Sequence, residues 1–256
     1  MAPRKTTKTK FAPLTEMQPG DEWAYINATL GNADRVLLYG PPGTGKTTIA
    51  NSNVTHVYNV YMTEETPAAE LRGHFIPRGT SWEWMHGPAI RAWMEGSRLV
   101  INEINAASGD ALDFLLAVLD DKSMAGITLP NGESVKPHPG FNCVATMNGQ
   151  PEDLPEALRD RFSIRFNVKK ANDQAIASLP EDLHQIALAK MATVPSVRPW
   201  QQFAELRAKT NEQVAAYAVF GNGAAAVLDA IRIGSDRKST RLNSSHSQQS
   251  RMPSSA

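Results

Sequence analysis

The stretch Gly40-Pro-Pro-Gly-Thr-Gly-Lys-Thr47 decides the fold of this chain. It matches the pattern G-x-x-x-x-G-K-[ST] at every fixed position. An apolar run at 36–39 predicts a strand before it, and the run at 47–50 predicts the start of a helix after it. A glycine-rich turn in this setting directs backbone N–H groups and the positive end of the helix dipole towards one point, where phosphate groups bind. The stretch therefore predicts a binding site for a nucleoside triphosphate.

The residue types of this loop suit both phosphate and magnesium. Glycine permits the tight backbone turn, Lys46 is placed to reach the β- and γ-phosphates, and the Thr47 hydroxyl is placed to bind Mg²⁺. The predicted nucleotide-binding residues are Gly40, Pro41, Pro42, Gly43, Thr44, Gly45, Lys46, Thr47 and Thr48.

Outward from the loop, β-rich runs alternate with helical patterns from about residue 21 to residue 168. The strand candidates are Arg35–Tyr39, 54–62, Arg98–Asn102, 141–147 and 163–168. Short apolar strands separated by helices are typical of a parallel sheet covered on both faces. A helical pattern at 111–119, with Ser108 or Asp110 as its cap, is one of the intervening helices. Pro130-Asn131-Gly132 lies between two short β-like segments and predicts a hairpin.

The chain changes character after the last of these strands. Residues 170–234 are alanine-rich and helical by pattern, which predicts a small all-α domain after a core at 21–169. Residues 1–20 are basic and polar, which predicts a disordered arm. Residues 235–256 are dominated by Ser, Arg, Gln and Asn, which also predicts disorder. Because they resemble translated adapter sequence, we hypothesise that they are not native and that the helical domain is incomplete.

The overall composition argues against some classes of protein. Lys+Arg and Asp+Glu number 26 each, so the formal net charge is zero and the basic character that favours nucleic-acid binding is missing. The single cysteine, Cys143, cannot form an intrachain disulfide, and its place in an apolar strand predicts a core thiol. No apolar run in the sequence approaches the length of a membrane span, and no apolar segment follows the basic N-terminus. A cytoplasmic protein without a membrane anchor is expected.

Polar residues follow two of the predicted strands at the end where the phosphate loop begins. Asn102 and Glu103 end one apolar run, where the first such residue typically holds Mg²⁺ and the second orients the attacking water. Asn148 ends the next run and is placed to position water beside the γ-phosphate. Arg159 and Arg161 precede the last strand, where either is placed to reach the γ-phosphate of a neighbouring subunit.

These segments, in this order and at this spacing, resemble an AAA+ ATPase of the MoxR branch, with its CbbQ- and NorQ-like relatives and the dynein-related AAA domains. The resemblance covers roughly residues 33–220. It rests on the phosphate loop and on later segments, namely Leu71-Arg-Gly-His, Gly87-Pro-Ala-Ile-Arg-Ala-Trp-Met-Glu-Gly, Asn102-Glu-Ile-Asn, Ala145-Thr-Met-Asn and Leu154-Pro-Glu-Ala-Leu-Arg-Asp-Arg-Phe.

The resemblance implies an α/β fold, the αβα sandwich of P-loop NTPases around a five-stranded parallel sheet, followed by a small all-α lid domain. It also implies that the nucleotide is ATP, hydrolysed with Mg²⁺ at the interfaces of a homo-oligomeric ring, usually a hexamer. The implied roles are Walker A for Lys46 and Thr47, Walker B for Asn102 and Glu103, sensor 1 for Asn148, arginine finger for Arg161 with Arg159 as its rival, and sensor 2 for Arg198. The family acts as chaperone-like motors on a protein client, often a metalloenzyme and often through a partner with a von Willebrand A domain.

The residue at position 102 and a set of aromatic residues each leave more than one interpretation open. Asn102 stands where the family usually has Asp, and an amide oxygen without a negative charge binds a hard cation more weakly. A nucleotide-gated assembly module with little hydrolysis is therefore the alternative to a hydrolysing motor, and a nucleic-acid motor or loader is a third reading that only the basic arm supports. The candidate groups for gripping a client are Phe75, Trp82, Trp84, Met85 and the hairpin at Asn131-Gly132. The alternative is that Trp82 and Trp84 pack onto the domain's own surface.

Overall fold

A computed structural model describes residues 22–171, 173–191 and 196–234 of the chain. These residues form two compact units. The first contains the described residues up to Gly40 together with Lys46–Val168, and the second contains Pro41–Gly45 and the described residues from Lys169 onwards. The predicted basic arm at 1–20 and the predicted non-native tail at 235–256 lie outside the described residues.

The first unit is built on a parallel sheet of five strands. Numbered in chain order with the hairpin strands below, they are β1 (Arg35–Tyr39), β2 (Val57–Tyr61), β5 (Arg98–Asn102), β8 (Asn142–Thr146) and β9 (Ile164–Asn167). The order across the sheet is β2-β5-β8-β1-β9, and each neighbouring pair is parallel. The interior strand β5 is buried at all five positions, as a parallel sheet covered on both faces requires. The predicted five-stranded parallel sheet is confirmed.

Alternate residues of these strands belong to two different hydrophobic clusters. One cluster takes Leu37, Leu99, Ile101, Cys143 and Ala145. The other takes Val36, Leu38, Val100 and Val144. Because successive side chains of a strand point to opposite faces, the two clusters lie on the two faces of the sheet. The helices of this unit are α1 (Glu22–Leu30), α2 (Lys46–Ala50), α3 (Ala68–Arg72), α4 (Pro88–Glu95), α5 (Gly109–Val118) and α6 (Glu156–Asp160). The predicted αβα sandwich is confirmed.

Two antiparallel hairpins accompany this sheet. Strands β6 (Ile127–Thr128) and β7 (Ser134–Val135) form the hairpin predicted around Asn131-Gly132. Strands β3 (Gly73–Arg78) and β4 (Ser81–His86) form a second hairpin that is an addition to the predicted elements. Its connection is only two residues long, and Gly79 has a φ of 60°, as tight hairpin turns favour. The pair Gly79-Thr80 between two strand-like segments was therefore a sequence signal for this hairpin.

The helix predicted at 111–119 is α5, and Ser108 occupies its N-cap position. The Ser108 hydroxyl does not cap the helix. It donates instead to the backbone carbonyl of Glu64 at 2.7 Å. Ser108 therefore joins the start of α5 to the segment that follows β2, and Asp110 in the first turn supplies the negative charge that a helix N-terminus favours.

The second unit, apart from its loop Pro41–Gly45, is helical. Its helices are α7 (Asp173–Ala177), α8 (Glu181–Met191), α9 (Arg198–Lys209), α10 (Glu212–Phe220) and α11 (224–234). Leu183 of α8 packs in one buried cluster with Trp200 and Phe203 of α9. The Asn211 side chain caps α10 by accepting a hydrogen bond from the Val214 N–H at 2.8 Å. The predicted all-α region after the core is confirmed.

One helical segment, Glu212–Gly234, is long and apolar enough to cross a membrane by length and composition alone. Five of its residues belong to the buried cluster of the second unit, namely Ala215, Ala216, Ala224, Val227 and Ile231. Because the core helix of a soluble domain passes the same test, the segment is only a weak indication of a membrane span. The cytoplasmic location stays a prediction.

Candidate nucleotide-binding site

The glycine-rich loop adopts backbone conformations that only glycine tolerates. Gly40 has a φ of 127° and Gly43 a φ of 76°, a region that other residues rarely adopt. A Cβ atom at Gly40 would lie 2.8 Å from the carbonyl oxygen of Val168, and one at Gly43 would collide with the Ser196 side chain. Within the loop, the Thr44 hydroxyl donates to the Pro41 carbonyl at 3.1 Å and closes the turn. The loop sequence therefore fits its geometry at Gly40, which the pattern fixes, and also at Gly43, which the pattern leaves open.

Lys46 is buried at the base of this loop, with 6% of its surface exposed. Its Nζ donates to the Gly40 carbonyl at 2.9 Å and to the Asn148 Oδ1 at 3.0 Å. The helix that it begins, α2, is only five residues long, so its dipole is small. The positive charge available to a phosphate here therefore comes mainly from the Lys46 ammonium group and from backbone N–H groups.

Asn102 ends β5 and is almost fully buried, with 1% exposed. Its Oδ1 accepts hydrogen bonds from the hydroxyls of Thr47 at 2.8 Å and Thr146 at 3.2 Å. Its Nδ2 donates to the backbone carbonyl of Val60 at 3.2 Å. A backbone carbonyl only accepts, which fixes the amide nitrogen on the Val60 side and the amide oxygen on the side of Thr47.

Glu103 follows directly and has an unusual backbone. Its φ and ψ are 54° and 46°, in the left-handed region that costs a residue other than glycine on the order of 1 kcal/mol. Its Oε1 accepts a hydrogen bond from the Asn148 Nδ2 at 2.8 Å. Strain of this kind concentrates at functional sites, where the surrounding structure holds it in place.

The predicted phosphate-binding and water-orienting residues are thus joined in one series. Lys46 donates to Asn148, and Asn148 in turn donates to Glu103. The neighbouring pair of Thr47 and Asn102 is brought together from α2 and β5. These five residues come from the first turn of α2, from the end of β5 and the residue after it, and from the segment that follows β8, as their places in the sequence predict.

The residues present fit a magnesium ion that is bound together with phosphate. The Thr47 hydroxyl and the Asn102 amide oxygen are oxygen donors, which a hard cation prefers. Within the described ranges, no group of three or more His, Cys, Asp or Glu side chains is placed to hold a metal. Magnesium would therefore take its remaining ligands from phosphate oxygens and water, as it commonly does in nucleotide sites.

The predicted arginines are not joined to this series. Arg161 pairs with Asp120 at 3.5 Å, and its Nε is buried without a partner. Arg159 lies half-buried near the end of α6. In the described part of the chain, neither arginine is hydrogen bonded to Glu103 or Asn148. Their roles as arginine fingers stay predictions.

Arg198 begins α9 in the second unit, and its side chain is exposed. The preceding residue, Val197, donates its backbone N–H to the Gly43 carbonyl at 3.3 Å. The predicted sensor 2 arginine therefore follows a residue that contacts the glycine-rich loop. Its role in nucleotide sensing stays a prediction.

Sequence reasoning missed Arg98, at the other end of β5. Its guanidinium is buried and donates to the carbonyls of Ala50 (3.0 Å), Ser52 (3.0 Å) and Leu30 (2.6 Å). It also donates to the Asn142 Oδ1 at 2.9 Å. Burial lowers the pKa of Arg98 below its usual value. The signal was an arginine at the head of a strand whose next three residues are apolar.

Burial also characterises the single cysteine. Cys143 lies in β8 and is fully buried, which confirms the predicted core thiol. Burial raises the pKa of the Cys143 thiol, so the unreactive thiol form dominates at neutral pH.

Residues 35–162, half of the chain, match the profile of the AAA domain (dynein-related subfamily). The chain belongs to this family. The predicted recognition of an AAA+ protein is therefore confirmed. The matched segment contains Lys46, Thr47, Asn102, Glu103 and Asn148, and it ends beyond Arg161.

Individual relatives agree with this AAA assignment. NorQ of Paracoccus denitrificans is 31% identical over 151 residues, which are 57% of this chain and 56% of NorQ. Its similarity supports the MoxR branch. Midasin of Dictyostelium discoideum is 30% identical over 175 residues, which are 63% of this chain and 3% of midasin. An uncharacterised protein of Staphylococcus epidermidis is 37% identical over 143 residues, 50% of this chain and 53% of that protein. The chain thus spans about half the length of the relatives of similar size and a small part of midasin.

One solved structure is also similar, the crystal structure of a candidate ATPase from Cytophaga hutchinsonii. It is 22% identical, with a TM-score of 0.46 over 60% of this chain and 48% of the other. The sheet topology described above, rather than this likeness, establishes the fold.

Proposed function

We propose that the protein hydrolyses ATP with Mg²⁺ and acts as a chaperone-like remodelling or activating motor in the cytoplasm. The observation that carries the hydrolytic part is the hydrogen-bonded series Lys46–Asn148–Glu103. It joins a phosphate-binding amine to an amide and a carboxylate within hydrogen-bonding distance. Membership of the AAA family supports nucleotide binding by the glycine-rich loop.

Each residue of the series has a chemical task in this proposal. On binding of ATP, the Lys46 ammonium exchanges its bond to Asn148 for bonds to phosphate oxygens. Asn148 then holds a water molecule beside the γ-phosphoryl group, and the Glu103 carboxylate orients that water and accepts its proton. Thr47 and Asn102 would hold magnesium, which when bound supplies positive charge to the phosphate oxygens.

We propose that the chain assembles into a ring of identical subunits, a hexamer, in which an arginine completes each neighbouring site. Arg161 is the first candidate, and its pairing with Asp120 would have to break on assembly. Arg159 is the second candidate. An arginine finger typically contributes 10³–10⁵-fold to turnover, so the correct alanine variant loses nearly all activity.

Mixtures of two kinds of variant subunit identify which arginine acts as the arginine finger. Subunits with Glu103→Gln have an inactive site and an intact arginine, whereas subunits with Arg161→Ala or Arg159→Ala have the reverse. If the arginine acts on a neighbour, mixing the two kinds restores part of the turnover at mixed interfaces. If both arginine variants keep full activity alone, neither residue is a finger.

We further propose a protein client, or a partner with a von Willebrand A domain, bound at the β3–β4 hairpin. Trp82 is 69% exposed and Phe75 is 44% exposed, while Trp84 is half-buried and packs against the core. Phe75 meets Trp84 edge to face, with ring centroids 5.1 Å apart. The hairpin therefore presents an exposed aromatic surface that is held in place by the packing of Trp84 against the core, which supports binding of an apolar polypeptide segment.

The experiment that tests hydrolysis and assembly is steady-state ATP turnover with Mg²⁺ at rising protein concentration. We expect turnover per subunit to rise with concentration, since each site needs a neighbour. Lys46→Ala should lose ATP binding and turnover, and Glu103→Gln should lose turnover but keep binding. Lys209→Ala, an exposed lysine of α9, is the control and should behave as the wild type. Turnover per subunit that does not change with concentration would contradict the ring.

Asn102 favours a second candidate function, a nucleotide-gated assembly module with little hydrolysis. Its amide gives the site no negative charge at the first Walker B position. ATP would then hold an assembly together without being consumed. ATP-dependent assembly with turnover no higher than that of Glu103→Gln would establish this candidate in place of the motor.

A further inference from the structure

Asn102 is the departure from the usual family residue, and its surroundings show which chemical group the position accepts. The amide oxygen accepts from two hydroxyls, Thr47 and Thr146, and either of these would serve a carboxylate equally well. The amide nitrogen is different, because it donates to the Val60 carbonyl at 3.2 Å. Only a group with a donor on that side satisfies all three contacts.

A carboxylate at this position would be poorly matched to Val60. Its second oxygen would take the place of the amide nitrogen and face the Val60 carbonyl oxygen, so two acceptors would oppose each other. The side chain is 1% exposed, so water cannot screen this contact. Buried charges without a compensating partner are unfavourable.

We propose that the position of Asn102 requires an amide and that this amide sets the charge of the nucleotide site. The part of this inference that concerns charge rests on the proposed ATP-binding function. With an amide in this place, the neighbourhood of Thr47 carries one negative charge less than in a site with Asp. ATP without a metal ion is repelled less by such a site. The site therefore accepts metal-free ATP, and Asn102 determines this tolerance.

The same sheet offers a matched control, Asn142 at the start of β8. Its Oδ1 accepts a hydrogen bond from the Arg98 Nε at 2.9 Å. Arg98 is buried and, among the described residues, has no carboxylate partner. Asn142→Asp therefore places a negative charge beside the buried Arg98 cation. Asn102→Asp places the same charge beside the carbonyl oxygen of Val60.

The first arm of the test is the melting temperature of the full chain without nucleotide or metal. We expect Asn102→Asp to melt roughly 4–8 °C below the wild type and Asn142→Asp to melt at or above it. Asn102→Ala, which removes the hydrogen bonds without adding a charge, should melt above Asn102→Asp. The proposal is overturned if Asn102→Asp melts at the wild-type temperature or if Asn102→Ala and Asn102→Asp lose the same amount.

The second arm is the affinity for ATP, measured once in EDTA and once with Mg²⁺. Asn102→Asp should weaken binding of metal-free ATP by roughly tenfold and change binding of Mg²⁺-ATP much less, because the cation offsets the added charge. Asn142→Asp should change neither affinity. An equal loss in EDTA and with Mg²⁺ would overturn the assignment of the charge effect to Asn102. If the wild type binds no ATP at all, the proposed function fails, while the melting arm still decides whether the position requires an amide.

Discussion

The two ends of β5 are joined to the same short helix, α2, by different chemistry. At one end, Arg98 donates to the carbonyls of Ala50 and Ser52, at and just beyond the last turn of α2. At the other end, Asn102 accepts a hydrogen bond from Thr47 in the first turn. The strand is therefore hydrogen bonded at both of its ends to α2 and the two residues that follow this helix.

The two ends of β5 differ in whether a ligand can replace the hydrogen-bond partners found there. Arg98 is bound mostly to backbone carbonyls, which no ligand replaces. At the other end, which the proposed mechanism makes the catalytic end, the hydrogen bonds from Lys46 to Asn148 and from Asn148 to Glu103 join side chains and can pass to phosphate and water. Glu103 is also held in a strained backbone conformation. The end at Arg98 thus fixes the position of the strand against α2, and the end at Asn102 lies beside the groups that the proposed mechanism uses.

The largest effect expected at the catalytic end is that of Glu103→Gln. Glutamine still accepts the hydrogen bond from Asn148 but cannot take a proton, so ATP turnover should fall by roughly 10²–10⁴-fold. The affinity for ATP should stay close to that of the wild type. Steady-state turnover and equilibrium binding check both parts, with Glu95→Gln as a control outside the site. Retained turnover would remove Glu103 from the catalytic series.

Asn148→Ala should have the next largest effect, a fall in turnover of roughly 10²-fold, because it removes the amide that is proposed to hold the attacking water beside Glu103. The loss should appear in kcat rather than in KM. Asn131→Ala, in the β6–β7 turn, is the control. A change confined to KM would show that Asn148 binds nucleotide rather than positions water.

Arg98→Met tests the other end, where the expected loss is of stability. It leaves several buried acceptors without donors, including the carbonyls of Leu30 and Ala50, so the free energy of unfolding should fall by about 2–4 kcal/mol. Arg98→Lys, which keeps the charge but fewer donors, should lose less. Denaturant unfolding measures both variants. Turnover per folded molecule should change little, and a loss as large as that of Asn148→Ala would erase the distinction between the two ends.

The smallest effect concerns the strain at Glu103. Glu103→Gly and Glu103→Ala remove the same carboxylate, but only the glycine adopts the positive φ of 54° without strain. The glycine variant should therefore be more stable than the alanine variant by roughly 1 kcal/mol. Denaturant unfolding of the pair measures this difference. Equal stabilities would mean that the backbone relaxes and that no strain is stored there.

The catalytic end was largely predictable from the sequence, and the other end was not. The spacing of the glycine-rich loop identifies Lys46 and Thr47, and apolar runs that end in polar residues identify Asn102, Glu103 and Asn148. Parallel strands bring such ends to one edge of the sheet, so their proximity follows from the alternation of strands and helices. Three of the four hydrogen-bond partners of Arg98 are backbone carbonyls 46 to 68 positions away along the chain. Every residue has a backbone carbonyl, so the residue types at those positions do not identify them as partners.

The same limit explains what was missed near Asn102. Its unusual residue type was visible, but its match to the Val60 carbonyl depends on the pairing of β2 with β5. The β3–β4 hairpin was missed for another reason. Gly79-Thr80 favours a turn, but the aromatic residues Phe75, Trp82 and Trp84 fit an exposed surface and a packed one equally well. Tertiary pairing decides the match at Asn102, whereas the hairpin follows from a local turn.

The measurement that tests the central claim most directly is a double-mutant cycle of ATP turnover on Asn148 and Glu103. If the two act as one unit, Asn148→Ala should cost almost nothing further once Glu103→Gln is present. The predicted result is therefore a double variant about as active as Glu103→Gln alone. A double variant whose loss equals the product of the two single losses would show that the residues act independently, and it would contradict the account.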